Sequence, residues 1–148
     1  MKIDLSEKIA LITGGATGLG KGMALANSNA RVIVTSRNLK DIKKISQHKS
    51  GKIFGYNLDV TKSKDLEKLY NQIKKKHKKI DIIINNVGHT LDIKGPFTDI
   101  KNWKKIMDLN FFTAVNVTNK FIKDMKKRNW GSIINKVPNV LNSILFVS

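Results

Sequence analysis

An α/β fold built on a parallel sheet, covered on both faces, is predicted by three features of this 148-residue chain. Short runs of Ile, Val and Leu recur along it, and segments of helical period lie between them. The first run also feeds a glycine-rich turn that opens a helix. Continuous apolar strands alternating with amphipathic helices imply strands buried on both sides.

The elements can be justified in order. Ile9-Ala10-Leu11-Ile12 is the first strand, and Thr13-Gly14-Gly15-Ala16-Thr17-Gly18-Leu19-Gly20 is the turn after it. Such a turn aims backbone N–H groups from a helix N-terminus, where a pyrophosphate is favoured. Gly14 allows a sharp turn, Gly18 lets backbone approach a phosphate, and Gly20 lets the helix pack on the strand; Thr17 and Leu19 share the loop. The spacing is Gly-x-x-x-Gly-x-Gly, so the commoner Gly-x-Gly-x-x-Gly fingerprint does not match, and the turn alone also fits a βα loop without a ligand. The helix that follows contains Asn27-Ser28-Asn29, poor helix formers. Val32-Ile33-Val34-Thr35 is the second strand and ends in Ser36-Arg37-Asn38. Lys52-Ile53-Phe54-Gly55-Tyr56 is the third, followed by Leu58-Asp59-Val60. Leu66, Leu69, Tyr70 and Ile73 mark one helix face. Asp81-Ile82-Ile83-Ile84 is the fourth strand and runs into Asn85-Asn86-Val87-Gly88. A turn is expected at Lys94-Gly95-Pro96 before a long helix. On that helix Trp103, Ile106, Met107, Phe111, Ala114, Thr118, Phe121, Ile122 and Met125 form an apolar stripe, and Asn110 sits on it. An amide there needs hydrogen-bond partners or costs about 1–3 kcal/mol, so it serves either structure or function.

With these motifs in order, residues 5–135 resemble the short-chain dehydrogenase/reductase family, whose glycine motif is Thr-Gly-x-x-x-Gly-x-Gly and whose fourth strand ends in Asn-Asn-Ala-Gly. Here Val87 replaces the Ala. The branches most alike are the 3-oxoacyl reductases and gluconate 5-dehydrogenases. The resemblance implies a Rossmann-like doubly wound sheet, incomplete, of about five strands in the order 3-2-1-4-5, over residues 1–135. It also implies that Asp59, with Val60 beside it, meets an adenine, that Asn86 and Gly88 bind the cofactor, and that Asn110 is a catalytic residue holding a proton-relay water. The implied substrates are alcohols and ketones.

Cofactor choice is argued from the second strand. Members that prefer NAD carry an acid at its end to accept from the ribose hydroxyls, whereas Thr35-Ser36-Arg37 has none. A guanidinium suits a 2′-phosphate, which favours NADP over NAD; a solvated surface Arg37 is the plainer alternative.

Family members run to about 250 residues and place a Ser, then Tyr-x-x-x-Lys, beyond the fifth strand. Here that strand is Gly131-Ser132-Ile133-Ile134-Asn135, the Ser position falls at Pro138, and the Tyr and Lys positions fall past Ser148. Neither Tyr56 nor Tyr70, both in segments on the adenine side, is assigned as the acid that carbonyl reduction needs. Residues 136–148 form a divergent tail that follows no family pattern. The expectation is a C-terminally truncated, inactive member, or the N-terminal fragment of a split reductase, with the fifth strand as an open edge prone to self-association or to a complementing fragment.

The formal charge of +17 raises a different class, a nucleic-acid binder. Only Arg31, Arg37 and Arg128 of the 28 basic residues are Arg, and the lysines spread over most helices without one aromatic-interleaved stripe. This disfavours specific nucleic-acid binding and favours solvated faces. There is no Cys, which fits a reducing cytoplasm and excludes thiolate metal sites. His48, His77 and His89 lack ligand spacing, so no metal is expected; His89 is a candidate for the substrate cleft. No apolar run reaches the ~18–20 residues of a membrane span.

Overall fold

The computed structural model describes residues 4–26, 29–48, 51–89, 91 and 99–136. Five strands, β1 (Ile9–Ile12), β2 (Arg31–Ser36), β3 (Ile53–Asn57), β4 (Ile82–Asn85) and β5 (Ser132–Asn135), form one sheet in the order β3-β2-β1-β4-β5. Every pairing is parallel. The helices are α1 (Gly18–Ala26), α2 (Leu39–Ser46), α3 (Ser63–Lys76), α4 (Ile100–Met107) and α5 (Thr113–Lys127). This is the covered parallel sheet that the strand pattern implied, in the Rossmann-like order that the family resemblance implied.

Side-chain alternation along each strand sorts the apolar residues into two layers. Ile9, Leu11, Ile33 and Ile83 pack against Leu66, Leu69 and Ile73 of α3 and Val117, Phe121 and Met125 of α5. Ala10, Ile12, Val32 and Val34 face the other way, onto Ala24 of α1 and Ile42 and Ile45 of α2. Each buried aliphatic side chain contributes about 1.5–3 kcal/mol, so both layers help to hold the sheet between its helices. Helix α2 begins where Asn38 Oδ1 accepts from the Lys40 amide at 2.9 Å. Helix α1 ends at Ala26, beside the run of weak helix formers.

The long helix differs from the single stripe expected. A π turn, Asp108–Phe112, separates α4 from α5. A wider turn breaks the 3.6-residue phase, so residues on its two sides no longer share one face. Ile106, Thr113, Val117, Phe121 and Met125 are buried, while Met107 and Phe111 of the expected stripe are exposed.

At the strand starts, the buried Asp81 carboxylate accepts from the Ile9 amide at 3.0 Å and pairs with Lys79 at 3.1 Å and Arg128 at 3.7 Å. It ties β1, β4 and the end of α5 together. At the far border, β5 pairs on one side with β4, and Ile134 is half exposed. Pro138, the rest of the tail and the turn expected at Lys94-Gly95-Pro96 lie outside the described residues. No helix among the described residues is long and apolar enough to cross a membrane.

His77 follows α3 and is buried against β3, where Tyr56 Oη lies 3.0 Å from its Nε2 and the Phe54 ring stands edge-on at 4.8 Å. A helix C-terminus ordinarily favours an imidazolium. Here burial, then the charges of Arg31 and Lys76, push the imidazole below its usual pKa, so the folded chain holds it neutral. The unfolded chain therefore binds the extra proton first as pH falls. Stability conferred by neutral His77 is full above the ordinary histidine pKa of about 6.5 and is lost as pH drops below it. Urea midpoints should fall between pH 7.5 and 5.5, and His77→Phe should flatten that dependence; an unchanged slope in the variant would remove His77 as its source.

Candidate functional site

The carboxyl ends of the strands converge on one cleft, at the point where the connections from β1 and β4 leave toward opposite faces. Thr13, directly after β1, is buried, and its Oγ1 accepts from the amides of Asn86 at 3.0 Å and Val87 at 3.1 Å. Asn86 Nδ2 returns two bonds, to Thr13 O at 3.1 Å and Gly14 O at 3.2 Å. Four hydrogen bonds thus close the gap between β1 and β4. Asn86 Oδ1 is buried with no partner among the described residues.

The glycine turn is built around this tie. Gly14 (φ +63°) and Gly18 (φ +52°) adopt left-handed backbone. A Cβ at Gly20 would stand 2.4 Å from Gly14 O and 2.6 Å from Asn86 Nδ2, so its close approach is to the loop itself rather than to the strand. A Cβ at Gly18 would meet nothing within 4 Å; that side of the turn is open. Two residues that sequence reasoning passed over complete the turn. Gly15 fits because a Cβ would stand 2.7 Å from Val34 Cγ1. Thr35 receives the turn, its Oγ1 accepting from Gly14 N at 3.3 Å and its carbonyl from Gly15 N at 3.1 Å. The Gly14-Gly15 pair was the visible signal for the first; nothing in the sequence marks the second.

The cleft measures about 480 Å³. Gly14, Thr17, Leu19 and Gly20 line it from the turn, Ser36 and Arg37 from the end of β2, and Asp59 and Val60 from beyond β3. Asn86, Gly88 and His89 line it from the end of β4, and Lys136 from the end of β5. The Arg37 guanidinium is exposed, and among the described residues no carboxylate pairs with it. Ser36 is fixed from both sides: its carbonyl accepts from Leu58 N and Asn57 Nδ2, and its Oγ from Asn38 N. Asp59 Oδ1 accepts from the Thr61 amide and hydroxyl, which orients the carboxylate at the cleft wall.

Asn110 occupies the π turn, half-buried and away from the cleft lining. Its Oδ1 accepts from His89 N at 2.9 Å, and its Nδ2 donates to His89 O at 3.0 Å and Ile106 O at 2.8 Å. All of its amide capacity but one lone pair goes to backbone, so in this arrangement it positions the loop after β4. His89 Nδ1 accepts from Leu91 N at 2.8 Å, which assigns the ring proton to Nε2.

One spacing escaped the sequence reading: Tyr70 and Lys74 do stand as Tyr-x-x-x-Lys. Both lie on α3 and meet Asp124 of α5, each at 3.0 Å from its Oδ2, outside the cleft. Burial and the bond to Asp124 push the Tyr70 phenol above its usual pKa. Burial opposes ionisation of Asp124 too, but the bonds from Lys74 and Tyr70 outweigh it and hold the carboxyl below its usual range. A proton donor needs the reverse shift. Among the described residues no group of three His, Asp or Glu could hold a metal ion.

A family model described as short chain dehydrogenase matches residues 8–138. The chain is 35% identical over 133 residues to a 3-oxoacyl-(acyl-carrier-protein) reductase of Haemophilus influenzae, covering 88% of this chain and 55% of that protein. It is 31% identical over 134 residues to an NAD-dependent glycerol dehydrogenase of Listeria innocua, covering 89% and 53%. A short-chain dehydrogenase structure from Streptomyces avermitilis shares the fold with a TM-score of 0.77 and 24% identity, over 85% of this chain and 47% of that one. The chain spans about half the length of the curated relatives it matches.

The glycines separate by their surroundings. Gly20→Ala forces a Cβ into backbone that cannot yield, and should cost about 1–3 kcal/mol. Gly22→Ala, on the same helix with nothing within 4 Å, should stabilise by about 0.5–1 kcal/mol. Thermal melts of both variants check the opposite signs.

Proposed function

This chain belongs to the short-chain dehydrogenase family, and from that premise we propose that its cleft binds a nicotinamide dinucleotide, NADP in preference to NAD, while the chain alone lacks the acid for alcohol or ketone chemistry. The observation that carries the reading is the glycine turn, whose Gly14, Thr17, Leu19 and Gly20 line one continuous cleft with Arg37, which pairs with no carboxylate among the described residues. The orphaned Asn86 Oδ1 beside it is a buried acceptor of the kind a ligand donor would satisfy. Gly14, Thr17, Gly18, Leu19 and Gly20 would hold the pyrophosphate, Ser36 and Arg37 the ribose and its 2′-phosphate, and Asp59 and Val60 the adenine. Asn86 and Gly88 would border the nicotinamide. The relatives' names do not decide between the cofactors, since one of them states NAD; the absence of an acid at the end of β2 and the fork of Arg37 support NADP.

A bound nicotinamide supplies or accepts the hydride. The chain's own part is to orient it, and Asn110 contributes by holding His89 and the loop after β4. Proton delivery has no assigned donor: Tyr70 faces Asp124 and Tyr56 faces His77. The half-exposed Ile134 on border strand β5 favours, as a second reading, a reductase completed by a separate polypeptide.

Calorimetry on the full chain should give tighter binding of NADPH than of NADH, with Arg37→Asp erasing or reversing the preference. Equal affinities, unchanged by the substitution, would leave Arg37 a surface residue.

Purified protein should turn over neither ketones nor alcohols with either cofactor. Turnover abolished by Tyr70→Phe or by Asn110→Ala would refute the missing-acid reading.

A further inference from the structure

The lysines that the sequence scatters over many helices are gathered by the topology. In a parallel sheet with crossover helices, every strand start and every helix C-terminus lies at one end, here opposite the cleft. Register alignment puts Lys52 beside Arg31, since Val32 pairs with Ile53, and Arg31 beside Ile9. One residue further out lies Lys8, whose carbonyl accepts from Arg31 N at 3.0 Å. Its Nζ stands 3.8 Å from the ring centroid of Trp130, which is 42% exposed. Lys74-Lys75-Lys76 and Lys126-Lys127 end α3 and α5 at the same level.

Among the described residues few acids stand at this end. Asp81 is buried and shared by Lys79 and Arg128, and Asp124 is taken by Lys74 and Tyr70. Asp4 and Glu7, ahead of β1, are the exposed acids nearby, and Asp4 is bonded to Ser6. Lysines in the last turn of a helix are explained by its dipole. Lys8, Arg31 and Lys52 lie at strand starts, beyond any helix's last turn, so the dipole does not account for their placement; Lys8 stands over Trp130, and Lys52 Nζ donates to Asn29 O at 3.5 Å.

We propose that this end of the sheet is a binding face for single-stranded nucleic acid, with phosphates against Lys8, Arg31 and Lys52 and a base stacked on the face of Trp130 that Lys8 does not cover. From β3 to β5 the face is four strand spacings wide, roughly 19 Å, enough for several nucleotides of an extended strand. Cations that track a backbone beside an exposed ring are what sequence-tolerant strand binding requires. An anionic membrane would need apolar side chains to insert. Leu19, Leu39 and Ile100 begin helices at the opposite end, and Phe54, the exposed apolar residue near the start of β3, lies edge-on against His77. This face shares no residue with the cleft, so the two readings stand or fall separately.

The test is fluorescence anisotropy of the full chain with a labelled 12-nucleotide oligo(U) in 100 mM salt. Lys8→Gln/Arg31→Gln/Lys52→Gln should weaken binding at least tenfold and flatten the salt dependence by about 2 log units per log unit of salt, as loss of three phosphate contacts requires. Lys62→Gln/Lys64→Gln/Lys101→Gln, an equal charge change at the starts of α3 and α4, should weaken it less than threefold. Trp130→Ala, which keeps every charge, should weaken it several-fold and remove tryptophan quenching by the oligonucleotide. Equal losses from the two triple variants would overturn the proposal in favour of diffuse charge. Absence of oligonucleotide binding, with or without binding to phosphatidylserine vesicles, would overturn it as well. Far-ultraviolet circular dichroism confirms that each variant is folded before it is scored.

Discussion

The structure depends on the tie between Thr13 and Asn86. At the centre of a doubly wound sheet the connections from β1 and β4 leave toward opposite faces, and the strand ends need a fastening between them. Four hydrogen bonds of about 1 kcal/mol net each provide it, and each broken one would strand a buried polar group at greater cost. The tie tolerates no Cβ at Gly20, because that atom would fall on the carbonyl and the amide that form it. The glycine motif is therefore a condition for closing the sheet, whatever the turn binds.

A second fastening at the other end makes the sheet rigid along its length. Asp81 joins the start of β1 to the entry of β4 and, through Arg128, to the exit of α5. The two ends consequently differ in chemistry. The cleft end offers backbone, glycines and a few oriented polar groups, while the opposite end offers side-chain cations around Trp130. A parallel sheet makes such a division natural, because every strand contributes its start to one end and its finish to the other.

Much of this was legible in the sequence, and the reasons are local. The limits of β1 and the face of α3 follow from runs whose period is set by neighbouring residues. The cleft residues after β1, β2, β3 and β4 are found by where apolar runs stop, and nearly all line the cavity. Thr35 was not legible as the receiver of the glycine turn, because its hydroxyl acts across strands 21 residues apart. The stripe around Asn110 was misphased because a π turn leaves no mark in composition. Partners settle what periodicity could not: Asn110 sits within that turn, where its amide holds the backbone of His89.

Tyr70 and Lys74 show why spacing alone does not confer chemistry. On a helix, residues four apart share a face, so any Tyr-x-x-x-Lys in a lysine-rich chain brings a phenol near an ammonium. What lowers a phenol's pKa is cationic charge without a competing acceptor. Here Asp124 sits between the two groups, takes a bond from each, and turns the lysine's field onto itself. The phenol then titrates higher instead of lower, and the pair serves to fasten α3 to α5. The same two residue types would be an acid only where the ammonium faces the phenol across a cleft with no carboxylate in reach, so the identity of the third neighbour decides between a catalytic pair and a structural one.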